Sequence, residues 1–113
     1  SGTEMYNAAG IWYEYADNGS LCSAAVSENA WICLKNVDFS DSAKRFLAKV
    51  KGRGRLQVCI DSNKAGEIIA AAEFDSSEFG VIAADISRDV SGIHDVYIQF
   101  SDTGMILESW QVE

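Results

Sequence analysis

Apolar and polar residues alternate in three stretches of the chain, residues 30–39, 55–61 and 94–100. A period of two is typical of β-strands, because successive side chains of a strand point to opposite faces of the sheet. The sequence therefore predicts three half-buried strands, each with a second face that is polar or aromatic. These second faces carry Trp31, Cys33, Gln57, Cys59, Asp61, Tyr97 and Gln99.

Clusters of Gly, Asn, Asp and Ser recur about every ten residues and are the expected turns. The chain contains no proline, so these residues must form its bends. Short strands at this spacing are typical of an all-β sandwich or barrel rather than of βαβ units. The clusters occupy residues 17–20, 27–29, 40–42, 51–54, 61–63 and 101–104.

Two stretches are ambiguous between helix and strand. Residues 41–51 begin with a helix-capping aspartate and place apolar side chains at helical spacing. Residues 65–74 are rich in alanine, which favours a helix. A strand with Phe46, Ala48 and Val50 on one face is equally compatible with the first stretch, so the local pattern leaves both structures open.

Composition limits the classes of partner that the protein can bind. Its 113 residues correspond to one domain, and 9 Lys plus Arg against 17 Asp plus Glu give a formal net charge of −8. Phosphate-binding surfaces need clustered cations, so we expect neither nucleic acid nor an anionic membrane as partner. No apolar run is long enough to cross a membrane. Residues 1–3 (Ser-Gly-Thr) resemble a cloning remnant, so we assign residues 4–113 to the single domain.

The inventory of catalytic side chains is small. His94 is the single histidine, and its place in a strand pattern predicts a partly buried, hydrogen-bonded side chain. Nucleophile motifs, phosphate-binding glycine loops and zinc-ligand spacings do not occur. No one pair among the 17 carboxylates stands out as a glycosidase pair. The sequence therefore predicts a protein that is not an enzyme.

The three cysteines, Cys22, Cys33 and Cys59, have neither metal-ligand spacing nor the density of a disulfide scaffold. An odd number leaves at least one thiol free. We expect small residues of the core or sheet, and a disulfide between one pair is the alternative that the sequence leaves open.

Six of the nine basic residues lie within twelve positions, residues 44–55. Such a cluster forms either an anion-binding or partner-binding patch, or the solvated surface of a hairpin whose charges offset the acidic remainder of the chain. We favour the solvated hairpin.

Several aromatic residues lie outside the apolar strand faces. Trp12, Tyr13 and Tyr15 share one segment, Trp31 lies on the polar face of its strand, and Phe79 follows two serines and a glutamate. Exposed rings offer flat apolar platforms for the C–H faces of sugars, while neighbouring amides and carboxylates bind hydroxyls. The same rings are equally suited to packing in the core, so the pattern alone leaves both roles open.

Three stretches spread over the chain carry a family resemblance. Residues 20–39 are SLCSAAVSENAWICLKNVDF, residues 92–100 are GIHDVYIQF and residues 106–112 are ILESWQV. In order and spacing they resemble the stretches GLNVGYIDNGDWVKFKNVDF, GVHDLYLVF and NFDWWQF of family 6 carbohydrate-binding modules. The opening EMYNAAGIWYE is similar to the family's E-x-Y-N-x-x-S-G-x-x-x-E. The resemblance therefore covers nearly the whole chain.

The resemblance implies a jelly-roll β-sandwich with two antiparallel sheets, in which residues 45–50 and 67–74 are strands. It implies a non-catalytic module that binds a plant-cell-wall polysaccharide (xylan, arabinoxylan or β-glucan) for a glycoside hydrolase in the same chain. We expect such a module to be bacterial, secreted and monomeric. The alternative is a module that has lost sugar binding and serves as a structural or docking domain in a larger enzyme.

Members of the family use two binding surfaces, and the first, a cleft among the loops at the sandwich edge, matches poorly. Its first aromatic ring falls on Ala25 and its late asparagine on Ile106, whereas Glu14 matches and the second ring falls on or near Phe79. A missing ring and a missing hydrogen-bond partner remove interactions of about 1 kcal/mol each. If this cleft binds sugar, we expect a rebuilt aromatic set that includes Trp12, Tyr13 or Tyr15.

The second surface, the concave face of one sheet, matches better. The family's aromatic residue at this surface falls on Trp31. Alternation places Gln57, Asp61, Tyr97 and Gln99 on the same polar strand faces, and we expect them to be its neighbours in a carbohydrate-binding site.

The resemblance also implies a structural Ca²⁺ between the first and last strands. Glu4 matches a first-strand carboxylate, Glu108 replaces the usual aspartate, and the other first-strand acid falls on Gly2. Carboxylate oxygens are the ligands that Ca²⁺ requires. We therefore expect Glu4 and Glu108 to be metal ligands, and two surface carboxylates near the termini are the alternative.

Overall fold

Eight antiparallel strands form the part of the chain that the computed structural model describes, residues 5–15, 19, 21–62 and 68–113. For residues 5–8 and 14 only the backbone is described. Within these ranges there is no helix, and hence none of the length and hydrophobicity needed to cross a membrane. In chain order the strands are β1 (Met5–Ala9), β2 (Ile11–Tyr15), β3 (Leu21–Ala25), β4 (Ala30–Asp38), β5 (Arg45–Ile60), β6 (Ile68–Asp85), β7 (Ile93–Phe100) and β8 (Ile106–Val112).

The strands follow the order β1-β4-β7-β5-β8-β3-β2, with β6 paired to β5. The long strand β5 joins two layers, because its first half pairs with β8 (Phe46–Lys51) and its second half with β7 (Leu56–Ile60). The first layer therefore contains β1, β4, β7 and the second half of β5. The second layer contains β2, β3, β8 and the first half of β5. Strand β6 accompanies β5 through both layers.

The apolar faces of the two layers enclose the core. Ile32 and Ile98 of the first layer and Phe46 and Leu107 of the second are almost completely buried. The rings of Phe46 and Trp110 are stacked with centroids 6.2 Å apart and an interplanar angle of 2°. Burying each large apolar side chain contributes about 1.5–3 kcal/mol, so this layer-to-layer contact dominates the stability of the fold.

The three strands predicted by alternation are confirmed as β4, the second half of β5, and β7. The two ambiguous stretches are strands: residues 45–51 belong to β5, and the alanine-rich segment enters β6 at Ile68. Ala70, Ala71 and Ala72 lie opposite Val58, Gln57 and Leu56 respectively. Pairing with a buried strand therefore overrides the helical propensity of alanine.

The predicted turn at residues 51–54 is wrong, because β5 is continuous through it. Gly52 and Gly54 have φ values of +109° and +150°, and the pairing with β6 shifts register between Val50 and Gly52. A β-bulge bends a strand without reversing it. Residues 76–80 lie in β6 beside this bulge, where Gly80 pairs with Val50 and Ser76 pairs with Gly52.

The bend leaves no room for side chains on its glycines. A Cβ at Gly52 would lie 2.6 Å from the carbonyl oxygen of Gly104, and one at Gly54 would lie 2.5 Å from the sulfur of Met105. The loop that precedes β8 therefore packs directly on the bend, and this packing couples the two layers.

We predict that Gly52→Ala lowers the free energy of unfolding by about 1–3 kcal/mol, because it combines a positive φ with a backbone clash. Gly80→Ala is the matched control, since a Cβ at Gly80 meets nothing within 4 Å and its φ is not positive. Urea unfolding of both variants measures the difference. Equal stability of the two variants would contradict this account of the bend.

Candidate functional site

A row of side chains crosses the outer face of the first layer, the face opposite the core. Trp31 of β4 lies opposite Gln99 of β7, and Gln99 lies opposite Gln57 of β5. The row continues with Ala9 on β1 and Ala71 on β6. Directly opposed residues of antiparallel strands share a face, so the register brings together three of the residues that the sequence predicted. The alanines at both ends leave the row open to a ligand that extends across the strands.

These side chains line a cavity of about 510 Å³, called the Trp31 cavity below. Its size lies within the range of small-ligand sites. The indole of Trp31, three side-chain amides, a hydroxyl and a guanidinium contribute to its wall, whereas the ring of Phe100 is buried in the core. The lining residues are Asn29, Trp31, Arg55, Gln57, Gln99, Phe100 and Ser101.

Tyr97 packs against the ring of Trp31 and does not line the Trp31 cavity. Its ring packs against that of Trp31, with centroids 5.7 Å apart and planes inclined by 53°. Its hydroxyl forms a hydrogen bond with the thiol of Cys33, and this bond, together with burial, raises the pKa of Tyr97. The phenol therefore stays neutral, and the contact limits the positions that the indole of Trp31 can take.

The cysteines of this layer lie on either side of Tyr97. Cys33 of β4 and Cys59 of β5 both lie opposite Tyr97 in register, so two strand spacings, about 9.6 Å, separate their backbones. A disulfide requires Cα atoms closer than about 7 Å. All three cysteines are buried, as expected, and none of them forms a disulfide, so the alternative of a disulfide is wrong.

We predict that the native protein does not react with a thiol reagent such as DTNB, whereas the denatured protein titrates three thiols. Burial is the main cause that raises the pKa of Cys33, which makes its thiolate scarce at neutral pH. Absorbance at the reagent's wavelength gives the count. Rapid labelling of native Tyr97→Ala but not of native Phe79→Ala would show that Tyr97 protects the neighbouring thiols. Rapid labelling of the native wild-type protein would contradict the prediction.

Asp61, predicted as a neighbour of Trp31, lies outside the Trp31 cavity. Strand β5 ends at Ile60, and the left-handed backbone of Asp61 (φ 62°) directs its carboxylate to the imidazole Nδ1 of His94 at 2.9 Å. The Nε2 of His94 lies 2.8 Å from the carbonyl oxygen of Ser91. His94 is thus partly buried and hydrogen-bonded, as predicted, and Asp61 holds the end of β5 against β7.

The surroundings of His94 favour its charged form. Partial burial opposes the imidazolium, but the hydrogen bonds to Asp61 and Ser91 and the charges of Asp61 and Asp95 outweigh it and raise the pKa of His94. A raised folded-state pKa contributes stability that is complete below the unfolded pKa of about 6.5 and is lost as the pH rises through the folded value.

We predict that Asp61→Asn lowers the free energy of unfolding by about 1 kcal/mol at about pH 5.5, and by less at about pH 8.5. Asp89→Asn is the control, because Asp89 is exposed and has no ion pair among the described residues. Urea unfolding at the two pH values tests this. An equal loss of unfolding free energy at both pH values would show that the charged pair of Asp61 and His94 does not contribute to stability.

Residues assigned to the edge cleft lie on the outer face of the second layer. Trp12 of β2, 64% exposed, lies opposite Ala24 of β3, which lies opposite Ile106 of β8, and Ile106 lies opposite Lys51 of β5. The ammonium of Lys51 lies 5.4 Å from the centroid of the Phe79 ring. The floor between the two rings is therefore apolar except for one ammonium group.

The remaining edge-cleft residues add little to this surface. Tyr13 and Tyr15 alternate with Trp12 and so point to the other face of β2. The side chain of Glu14 lies outside the described residues. Ala25, at the position of the family's first ring, is buried. Among the side chains that the structure describes, this face offers fewer groups that bind sugar hydroxyls than the Trp31 cavity does.

Glu108, predicted to bind Ca²⁺, is buried, and its Oε2 forms a salt bridge with the Nζ of Lys49 at 2.8 Å. Among the described residues no group of three or more His, Cys, Asp or Glu side chains is arranged to hold a metal ion. Glu4 and Gly2, the other positions of the expected site, lie outside the described residues, so the calcium site stays a prediction.

Sequence reasoning missed Asn29, Arg55 and Ser101 as members of the site. Arg55 was grouped with the basic residues of a solvated hairpin, although it precedes Gln57 by two positions and so shares its face. This alternation was the available signal. Nothing in the local sequence indicated that the turn residues Asn29 and Ser101 would meet beside the row, at the adjoining ends of β4 and β7.

Comparisons with known proteins agree on the architecture. A family 6 carbohydrate-binding module from Clostridium cellulolyticum, solved in complex with xylose, is 23% identical with a TM-score of 0.87, over 99% of this chain and 93% of that one. A β-1,3-glucan-binding family 6 module from Bacillus halodurans is 16% identical with a TM-score of 0.86, over 99% and 92%. No family model and no curated protein matches the sequence.

A third similar structure belongs to a larger protein. A glycoside hydrolase family 43 arabinoxylan arabinofuranohydrolase from Bacillus subtilis, in complex with cellotetraose, is 22% identical with a TM-score of 0.76, over 99% of this chain but 28% of that chain. At these identities the likeness establishes the fold. The chain has the β-sandwich fold of family 6 carbohydrate-binding modules, and the predicted fold class is confirmed.

Proposed function

We propose that this protein is a non-catalytic carbohydrate-binding module and that its Trp31 cavity is the binding site. The observation that carries the proposal is the row of Trp31, Gln99 and Gln57 on the outer face of the first layer. An indole face stacks on the apolar C–H face of a sugar ring. A glutamine amide carries two donors and an accepting oxygen, the combination that binds neighbouring hydroxyls.

The titratable groups of the described residues support binding rather than catalysis. Cys33, His94, Asp95 and Tyr97 are described side chains with a shifted pKa, and none of these four lines the Trp31 cavity. Each is engaged elsewhere: for example, the hydrogen bond from Lys35 is the main cause that lowers the pKa of Asp95. Catalytic acids and bases are normally found with shifted pKa values inside the cleft.

The target that we propose is a plant-cell-wall polysaccharide, with xylan, arabinoxylan and β-glucan as the candidates. The xylose complex of the Clostridium cellulolyticum module and the glucan-binding module of Bacillus halodurans support this range. The Bacillus subtilis hydrolase supports a further proposal, that the module serves a glycoside hydrolase in the same chain. Such a module would be secreted by a bacterium and monomeric.

A docking domain without sugar binding is the second candidate. It is favoured by the apolar Ala25 and Ile106 at edge-cleft positions and by the exposed rings of Trp12 and Tyr15, the latter 76% exposed. Exposed aromatic rings on an edge strand suit a protein partner as well as a sugar. The two candidates differ in whether any soluble glycan binds.

We predict that Trp31→Ala weakens binding to the preferred glycan by at least about tenfold, because it removes the stacking platform. Trp12→Ala is the matched control, since it removes the same side chain from the other layer, and Phe79→Ala tests the edge cleft. Affinity electrophoresis against xylan, arabinoxylan and mixed-linkage β-glucan selects the ligand, and calorimetry measures it.

Three results would contradict parts of the proposal. Unchanged affinity of Trp31→Ala would exclude the Trp31 cavity as the site. A selective loss in Trp12→Ala and Phe79→Ala would move the site to the edge cleft. If no glycan retards the wild-type protein, the docking candidate replaces sugar binding.

A further inference from the structure

The Trp31 cavity has a charge that sets it apart from the rest of the domain. The chain carries a formal net charge of −8, yet the residues that line the cavity include one cation, Arg55, and no carboxylate. Amides and a hydroxyl are sufficient for the hydroxyls of a neutral sugar. A guanidinium in the wall adds a group whose strongest partners are anions.

The guanidinium of Arg55 is available to a ligand. Its Nη1 lies 3.7 Å from the nearest carboxylate oxygen of Glu73, beyond hydrogen-bond distance, and the two side chains are 48% and 77% exposed. An exposed pair of this kind contributes little free energy, so a ligand anion can replace Glu73 at little cost.

The backbone of Arg55, in contrast, is held firmly. The backbone N–H of Arg55 donates to the hydroxyl of Ser101 at 2.8 Å, and the backbone N–H of Ser101 donates to the carbonyl oxygen of Arg55 at 3.0 Å. Arg55 precedes Gln57 by two residues on the same strand face, about 6.6 Å along β5. Its long side chain therefore starts from a fixed point beside the amides and can reach a substituent of a sugar stacked on Trp31.

Carboxylates lie on the other side of Arg55. A neighbouring cavity of about 500 Å³ is lined by Arg53 and Arg55 together with Glu73, Asp75 and Asp102. These three acids repel an anion from that cavity, so the side of Arg55 that favours an anion is the side facing Trp31.

We propose that the glycan bound in the Trp31 cavity carries an anionic substituent, and that the guanidinium of Arg55 binds its oxygens. This rests on the proposed sugar-binding function and specifies its ligand. A planar guanidinium can bind two oxygens of a uronate carboxylate or of a sulfate ester at once. The domain's net charge of −8 repels a polyanion. The ligand is therefore a neutral polysaccharide chain with isolated acidic substituents.

The test compares each acidic polymer with the same polymer after its charge is removed. One arm uses glucuronic-acid-substituted xylan before and after carboxyl reduction, and the other uses a sparsely sulfated glycan before and after desulfation. We expect the wild-type protein to bind one acidic polymer at least about tenfold more tightly than its neutral counterpart. The arm in which the preference occurs identifies the substituent. The preference should fall as salt rises from about 50 mM to about 500 mM.

Two matched variants locate the preference. Arg55→Gln should abolish the preference, so that this variant binds the acidic and the neutral polymer equally, and Arg55→Lys should keep part of it, because an ammonium lacks the guanidinium fork. Arg53→Gln removes the same charge two residues away, from a side chain that lines the neighbouring cavity alone, and should leave the preference unchanged. Thermal unfolding of each variant checks that it is folded.

The outcomes separate this inference from the proposed function. Equal wild-type affinity for charged and neutral polymers, with binding still lost in Trp31→Ala, would overturn the inference and leave sugar binding intact. An equal loss of preference in Arg53→Gln and Arg55→Gln would overturn the role of Arg55. If no polymer binds the wild-type protein, the proposed function fails and the inference fails with it.

Discussion

The pairing of β5 with β6 is the interaction on which the rest of the structure depends. Both strands run through the two layers, and the bend at Gly52 and Gly54 turns one long ribbon into the link between two sheets. The loop that precedes β8 packs on this bend, so the position of the second layer follows from two residues without side chains. The core can close only because the ribbon bends here, which places the apolar faces of both halves toward each other.

The path of β5 also determines which side chains lie on the outer faces of the two layers. In its second half, β5 places Arg55 and Gln57 beside β7, and the register with Trp31 and Gln99 turns scattered positions into one row. Tyr97 and Cys33 support that row from the adjacent positions. In its first half, β5 instead places Lys49 and Lys51 beside β8, and these cations contact Glu108 and Phe79. One strand thus gives the two layers surfaces of different chemistry.

The basic cluster of residues 44–55 is divided by this arrangement. Arg45 pairs with Glu113, Lys49 with Glu108, and the guanidinium of Arg55 stays loosely associated with Glu73. Three of its six members therefore lie beside acidic side chains, as the interpretation of a solvated hairpin predicted for the cluster. Alternation places the cations of β5 on one strand face, but the bend divides them between the two layers, and Arg55 reaches the Trp31 cavity. A linear count of charges cannot detect that division.

The sequence by itself determined the strands with strict alternation and the all-β class. It also determined that Trp31, Gln57 and Gln99 lie on polar strand faces, because the alternation of side chains between the two faces of a strand is a local property. Only the tertiary structure decided that residues 45–51 and 68–74 are strands, since pairing outweighs the weak propensities of short segments. It also decided that residues 51–54 bend rather than turn and that Asp61 contacts His94 outside the Trp31 cavity. Arg55, Asn29 and Ser101 meet because the start of β4 and the end of β7 lie beside the middle of β5, and the packing of the whole fold sets the distances between these strands.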